Sequence, residues 1–175
     1  TALTLRDGEE AMVVVDKNEN GKLQASRFLK EVDFLSDEVV LEKEIITLPS
    51  IAGTVNQVEI DQTMRWMFVL ADQRLLHVVN LEDESLTQTI TLDEVGTITS
   101  MSMLLGENSI LIGNSQGKIS QWFMARQEDK WRLSMARSFA IDKTENAIIN
   151  QNQDNAIETI VSEQRRKGFF VAVQD

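Results

Sequence analysis

The sequence predicts an all-β fold that is part of a β-propeller, with about three to four blades of four-stranded antiparallel sheet. Two observations lead to this prediction. An apolar run of strand length, a short turn rich in Asp, Asn or Gly, and a second strand recur along the 175 residues. In addition, 43 residues separate the equivalent turn positions Asp72 and Ser115. This spacing matches the period of about 40–45 residues of WD40-type propeller blades.

The turns and the strands before them have different chemistry. Predicted turns lie at 16–21, 71–74 and 113–117, and each contains Asp, Asn or Gly. These residues tolerate positive φ and close hairpins. The apolar runs that precede the turns, such as 66–70, are continuous, and continuous runs predict strands that are buried on both faces.

A later segment, 131–139, alternates between apolar and polar residues. One side would carry Trp131, Leu133, Met135, Arg137 and Phe139, and the other side Arg132, Ser134, Ala136 and Ser138. A period of two predicts a half-buried outer strand.

We group the strands into one propeller fragment that spans 1–175. A partial blade of three strands covers 11–48, two complete blades cover 55–92 and 97–139, and a partial blade of two strands covers 156–173. On this division the fragment forms an open ring, because the blades that would close the propeller are absent.

Two further features bear on the propeller prediction. The polar segment 142–155, rich in Asn and Gln, is predicted to be a long loop between blades. The Trp-Asp pair of WD40 repeats is missing, because Trp122 is followed by Phe123, so the blades would be degenerate. An eight-stranded β-sandwich is the structural alternative.

Charge and composition exclude several classes of function. The formal net charge of −11 repels phosphate backbones and anionic headgroups, so we expect no nucleic-acid partner. The chain has no cysteine, which excludes disulfides, thiolate catalysis and cysteine metal sites. No apolar run approaches the roughly 20 residues of a membrane-spanning helix, so we expect this segment itself to be soluble.

Two places resemble metal sites but are better explained as structural features. Residues 16–21 match the first half of a calcium-binding loop, D-x-[DN]-x-[DN]-G, yet the twelfth position is Arg27, where a bidentate Glu is required. We therefore predict a hairpin turn there. His77, the only histidine, lies in an apolar strand without a second ligand at metal-binding spacing, so we predict a structural, hydrogen-bonded histidine.

No catalytic motif lies in the structural context that it requires. Residues 113–117 have the letters of G-x-S-x-G, but they form a predicted turn between two strands and not the strand-to-helix turn of a nucleophile elbow. The sequence contains no phosphate-binding P-loop and no G-x-G-x-x-G. The carboxylates are scattered over turns, as in 82–84, where a run of charge is typical of a solvated face. We predict no enzymatic activity, no catalytic, cofactor-binding or metal-ligating residues, and no cofactor.

Two remaining clusters are interpreted as structural. The basic residues 165–167 precede an apolar strand, and we interpret them as charges that flank and protect it. Binding of an acidic partner or of lipid headgroups is the alternative. Trp122, Phe123 and Trp131 lie on strands with apolar neighbours, so we predict core or blade-to-blade packing and not a stacking platform.

One run of residues resembles a known family. Residues 113–126 join a glycine-containing turn to a Gln-Trp-Phe strand, and the Arg-Ser-Phe sequence of 137–139 follows a short charged turn. This arrangement resembles the permease subunit of bacterial phosphate ABC transporters, in the enlarged form with a propeller-like segment between its first transmembrane helices. The resemblance covers about 109–139 and, more loosely, 156–173, and its motifs form blades, not active sites.

The resemblance implies a function by contact. The parent protein would be embedded in the bacterial inner membrane and import phosphate, and this segment would be a non-catalytic domain on the periplasmic face. Its partners would be other transporter subunits or the phosphate-binding protein. The transport pathway of the family lies in membrane helices that this segment lacks, so no functional residue carries over.

Two other functions stay open from the sequence. A fragment of a soluble WD40-like scaffold that recruits partners is the main alternative, because propellers serve many functions. A hydrolase propeller whose site lies in other blades is the third hypothesis. An incomplete ring leaves open sheet edges, which pair with other chains, so we also expect the fragment to form a homo-oligomer, such as a dimer that completes a ring.

Overall fold

The chain folds as a succession of β-hairpins. The computed structural model describes residues 2–5, 11–17, 22–33, 35, 39–92, 96–104, 109–140, 156–163 and 168–174. Within these residues the regular elements are fourteen β-strands. In chain order they are β1 (Ala2–Leu5), β2 (Ala11–Lys17), β3 (Leu23–Val32), β4 (Val39–Ile46), β5 (Val55–Ile60), β6 (Trp66–Ala71), β7 (Leu75–Asn80), β8 (Ser85–Thr91), β9 (Ile98–Leu104), β10 (Ser109–Asn114), β11 (Lys118–Gln127), β12 (Lys130–Ala140), β13 (Ile157–Ser162) and β14 (Phe169–Val173).

The strands form four antiparallel sheets, which we name blades 1 to 3 and half-blade 4. Blade 1 comprises β1 to β4, blade 2 comprises β5 to β8, and blade 3 comprises β9 to β12, each paired in chain order. Half-blade 4 comprises β13 and β14. The prediction of an all-β fold built from four-stranded antiparallel sheets is confirmed, and these separate sheets replace the alternative of a two-sheet sandwich.

Blade 1 has four strands, not the three predicted within 11–48. The additional strand is β1, in which Ala2 to Leu5 pair with Val15 to Met12 of β2. β1 has only four residues, too few for an alternating pattern to stand out, and β2 supplies the hydrogen-bonding partners that place it in the sheet. The last predicted strand of this blade, 39–48, ends earlier, at Ile46.

Apolar layers between neighbouring sheets hold the blades together. Met67 of β6 belongs to the same apolar cluster as Val13 of blade 1, and Phe68, the next residue, belongs to the cluster that contains Ile110 of blade 3. Half-blade 4 packs on the other side of blade 3 through Ile157. Because β6 and β10 face a neighbouring sheet on both sides, all their residues are buried, as their apolar runs predicted.

The first strands of the sheets form one row. β5 contacts both β1 and β9, and β9 contacts β13. At the other side of the sheets, the last strands β8 and β12 also contact each other. This is the arrangement of a propeller, in which four-stranded blades surround a central channel.

Two predicted hairpin turns depend on positive φ. Asp72 and Gln73 connect β6 to β7 with φ of 49° and 54°. Gly117, before β11, has φ of 75°. Such backbone conformations match the twist of the flanking strands, and they confirm the turns predicted at 71–74 and 113–117. The loop predicted at 142–155 lies outside the described residues.

A β-bulge corrects the alternation predicted for 131–139. Gln121 of β11 pairs with Arg137, but Trp122 pairs with Met135, so β12 contains one extra residue, Ala136. One extra residue reverses the side to which the following side chains point. Leu133 and Trp131 therefore pack against blade 2, whereas Phe139 packs against half-blade 4.

Candidate interaction surfaces

His77 is a structural residue of blade 2. Its ring is buried, with Nδ1 at 2.9 Å from Oγ1 of Thr89 and Nε2 at 2.9 Å from the carbonyl oxygen of Ala52. A carbonyl only accepts, so Nε2 carries the proton and Nδ1 accepts from the threonine hydroxyl. Both nitrogens are bonded within the chain, as expected for a structural histidine.

The calcium-like segment 16–21 can be followed only at its start, because 18–21 lie outside the described residues. Oδ1 of Asp16 accepts a hydrogen bond from the backbone N–H of Lys17 at 2.8 Å. Arg27, at the position where a calcium loop requires Glu, pairs with Glu44 at 2.9 Å and donates to the Leu81 carbonyl oxygen at 3.3 Å. Arg27 thus connects blade 1 to blade 2.

Several carboxylates of the described residues stabilise turns or join neighbouring blades. No three His, Cys, Asp or Glu side chains in the described ranges lie close enough together to hold a metal ion. In the acidic run 82–84, Asp83 accepts a hydrogen bond from the backbone N–H of Ser85 at 3.1 Å. Glu84 accepts one from the backbone N–H of Thr47 at 3.0 Å. The run is exposed, as predicted, and it also fixes the β7–β8 turn and joins it to the end of blade 1.

Two of the three aromatic candidates pack between blades. Trp122 and Trp131 lie against the apolar cluster shared by blades 2 and 3. Phe123 departs from the prediction, because its side chain is 39% exposed. It lies on the face of blade 3 toward half-blade 4, whose strand β13 packs against β9 and β10. The basic residues 165–167 lie outside the described residues.

Polar side chains clamp neighbouring blades, and no motif in the sequence identifies them. Gln57 of β5 donates to the backbone oxygen of Met101 at 2.7 Å and accepts from its N–H at 2.9 Å. Gln88 of β8 accepts from the backbone N–H of Leu133 at 2.8 Å. A single polar residue within a strand carries no pattern that could reveal its partner 44 or 45 residues away.

The carboxyl group of Glu59 lies beside the Gln57 clamp. Burial raises the pKa of this carboxyl above its ordinary value, and hydrogen bonds from Gln57 and from the backbone of Met103 partly oppose that rise. Oε1 of Glu59 accepts the Gln57 bond at 3.1 Å. The carboxyl therefore helps to orient the amide that joins the first strands of blades 2 and 3.

Blade 1 has an open face, directed away from blade 2. Ala25 and Ile46 pack toward blade 2. Because side chains alternate along a strand, the residues of β3 and β4 that lie an odd number of positions from them point the other way. Ile45 is 72% exposed and Leu41 is 64% exposed. Lys43, between them on the same face, lies over the ring of Phe28. We call Phe28, Leu41, Lys43 and Ile45 the blade 1 open face.

Half-blade 4 has a second open face, directed away from blade 3. Ile160 packs toward blade 3, and Val161, the next residue, is exposed. Phe170, which is paired with Val161 across the sheet, is 69% exposed. We call Val161 and Phe170 the half-blade 4 open face. The two open faces thus lie at opposite ends of the row of blades.

A cleft opens between the last strands of blades 2 and 3. Its volume is about 300 Å³, and it is lined by Trp66, Asn80, Asp83, Ser85, Thr87, Gln88, Lys130, Trp131 and Arg132. The rings of Trp66 and Trp131 lie 5.8 Å apart. The guanidinium of Arg65 lies 5.1 Å from the first ring and 5.2 Å from the second. An arginine stacked on two aromatic rings and next to a cleft is a candidate for recognition of an anionic group.

Comparison with known proteins identifies the fold and no family. The chain matches no protein-family model, and no curated protein matches its sequence. Hsv2 from Kluyvelomyces marxianus is similar in structure, with a TM-score of 0.51 and 14% identity, over 79% of this chain and 45% of Hsv2. Raptor from Chaetomium thermophilum has a TM-score of 0.51 and 15% identity, over 98% of this chain and 19% of Raptor.

A third structure is the β-propeller domain of Cps50 (Swd1) from Myceliophteria thermophila. Its TM-score is 0.46 at 12% identity, over 81% of this chain and 58% of that chain. The chain thus spans about half the length of Hsv2 and of the Cps50 domain, and a fifth of Raptor. These structures lend no support to the resemblance to a phosphate permease. In the described ranges, no helix has the length and apolar character needed to span a bilayer.

Three features now agree: the four-stranded sheets, their apolar layers and the row of first strands. The chain therefore has the fold of a partial β-propeller of the WD40 type.

Proposed function

We propose that this chain is a non-catalytic β-propeller segment that acts by binding proteins. The observation that carries the proposal is the pair of open faces, on which a WD40-type fold presents large apolar side chains to solvent. Ile45 and Phe170 would each be covered if another blade packed on them, as Phe68 is covered inside the chain. Apolar patches of this kind mark protein-binding surfaces.

A second copy of the chain is the proposed occupant of these faces. Three four-stranded blades and a two-stranded half-blade supply about half of a large propeller, since propellers have about 4–8 blades. Two copies arranged head to tail would place the half-blade 4 open face of each on the blade 1 open face of the other. Such an arrangement closes with two-fold symmetry and leaves no face exposed.

Light scattering on a gel-filtration peak tests this proposal. We expect a dimer whose population rises with protein concentration, and we expect Ile45→Asp or Phe170→Asp to give a monomer. Leu86→Asp is the matched control, because Leu86 is exposed on β8 in neither open face. A monomer at all concentrations, or dimers in both open-face variants, would contradict self-association through these faces.

A phosphate-permease domain is the second candidate function, supported by the residues of blade 3. The segment 113–126, which resembles the permease family, forms the β10–β11 hairpin, and 137–139 lies on β12. Under this hypothesis the domain would lie on the periplasmic face of the inner membrane in a membrane-embedded parent. It would contact other transporter subunits or the phosphate-binding protein.

The natural reading frame around this segment tests the second candidate. One apolar run of about 20 residues upstream and several downstream, each long enough to cross a bilayer as a helix, would support the permease. Further strand–turn repeats on both sides without such runs would exclude it and leave the scaffold function.

A further inference from the structure

The backbone of Arg65 is held rigidly at the junction of the β5–β6 turn and the cleft. Asp61 is buried, and its Oδ1 accepts hydrogen bonds from the N–H groups of Arg65 at 2.9 Å and Trp66 at 2.7 Å. The carbonyl oxygen of Arg65 accepts a bond from the N–H of Leu81 at 2.8 Å. The backbone of residue 65 is therefore held by Asp61 in the β5–β6 turn and by Leu81 after β7. Its position does not depend on its own side chain.

The side chain of Arg65 is also fixed. Its guanidinium stacks on Trp66 and Trp131, which come from two different blades. Cation–π contacts of this type restrict the rotamers of a long side chain before any ligand arrives. Because less conformational entropy remains to be lost, such an arginine binds a ligand at lower cost than a mobile one.

Arg65 uses one of its donors in an ion pair, in which Nε lies 3.2 Å from Oε2 of Glu82. Nε is buried, and its geometry toward Glu82 is not that of a hydrogen bond. No other donor of this guanidinium forms a hydrogen bond to the described residues. The side chain of Arg65 is 33% exposed and stacks on Trp66 and Trp131, which line the cleft, so it lies at the edge of the cleft.

We propose that Arg65 binds a carboxylate group of an acidic segment in a partner protein, at the cleft between blades 2 and 3. A guanidinium pairs with a carboxylate through two parallel, charge-assisted hydrogen bonds. Arginine and tryptophan are the residues enriched at the centres of protein interfaces. This inference rests on the proposed protein-binding function and specifies the partner chemistry at a second site, apart from the open faces.

Charge favours a carboxylate over a phosphate as the ligand. Lys130 and Arg132 also line the cleft, but Glu82 and Asp83 lie at the same turn and the whole chain has a net charge of −11. A dianionic phosphate is repelled more strongly than a carboxylate with a single charge. The residues Asn80, Ser85 and Gln88, which line the cleft, can bond the neutral backbone of a bound segment.

Tryptophan fluorescence with a defined peptide tests the inference. The probe is a capped peptide with a single glutamate between glycines, and the control is the same peptide with glutamine in its place. Two of the three tryptophans line the cleft, so we expect saturable binding of the glutamate peptide that weakens as salt is added. Equal binding of the glutamine peptide, or tighter binding of a phosphoserine peptide, would overturn the inference.

Three variants separate a binding role of Arg65 from a structural one. Arg65→Lys keeps the charge but loses the planar fork, so we expect affinity to fall by about tenfold. Glu82→Gln removes a competing carboxylate, so we expect affinity to rise a few-fold. Arg74→Lys, at the opposite end of β6, is the matched control and should bind as the wild type does. Unchanged affinity in Arg65→Lys would overturn the inference.

The light-scattering measurement of the dimer distinguishes a failure of this inference from a failure of the proposed function. A failed peptide titration with a dimer that still depends on Ile45 and Phe170 would reject only the Arg65 site. A monomer in solution together with peptide binding would reject the open-face dimer and leave the Arg65 site standing.

Discussion

Blade 2 and half-blade 4 contain strands of similar composition in very different surroundings. In blade 2, Phe68 of β6 is 1% exposed, because blades 1 and 3 cover the two faces of the sheet. In half-blade 4, Phe170 of β14 is 69% exposed, because blade 3 covers one face alone. The burial of an aromatic strand residue in this molecule is thus decided by the number of neighbouring sheets.

The comparison shows where stability and binding capacity reside. A residue that is buried between two sheets stabilises the fold, because its apolar area is already removed from water. The same residue on an open face stabilises nothing in the isolated chain and remains available to a partner. The same types of apolar strand residue therefore form both the core and the binding surface.

The largest expected effect comes from the two phenylalanines. Phe68→Ala should lower the free energy of unfolding by about 3–5 kcal/mol, because it leaves a cavity between blades 2 and 3. Phe170→Ala should change it by less than about 0.5 kcal/mol at low protein concentration, as for other exposed positions. Urea unfolding at two protein concentrations measures both values. A large loss in Phe170→Ala at the lower concentration would mean that the half-blade 4 face is covered within one chain.

A middle-sized effect is expected where half-blade 4 meets blade 3. A Cβ at Gly113 would lie 2.7 Å from Cγ2 of Ile157, so Gly113→Ala must push the half-blade away, at a cost of about 1–3 kcal/mol. Hydrogen exchange should then speed up in β13 and β14 more than in blade 2. Gly168→Ala is the control in the same half-blade, because its Cβ would meet only the flexible end of Glu163, at 3.3 Å. Equal exchange in both variants would argue against close packing at Gly113.

The smallest expected effect is a pH dependence of stability at Glu59, which lies in blade 2, the well-packed region of the two compared. Burial raises the pKa of this carboxyl in the folded chain, so the folded state prefers the protonated form. Its stabilising contribution is complete below the unfolded pKa of about 4.3 and is lost as pH rises through the folded pKa. Glu59→Gln removes this loss. Urea unfolding between about pH 4 and pH 7 should show the stability of the variant relative to wild type increasing with pH, and a constant difference would count against a raised pKa.

The sequence predicted the features that depend on local chemistry. The continuous apolar run of β6 predicted a strand buried on both faces, since its side chains have no polar side to present to water. Asp72 predicted a hairpin turn, because it tolerates the positive φ that the turn requires. The candidate site was harder to predict from the sequence. Trp131 was assigned to packing between blades, but Arg65, which stacks on it, was not identified.

Sequence by itself determined the all-β class, the blade period and the hairpins, because these follow from alternation and turn residues within a few positions of each other. Only the tertiary structure decided which face each strand buries, as the bulge at Ala136 and the exposed Phe123 show. It also decided that Arg65 stacks on tryptophans of two blades. One of them, Trp131, lies 66 residues later in the chain than Arg65. Such contacts depend on how sheets stack, and sheet stacking joins residues whose sequence separation carries no local signal.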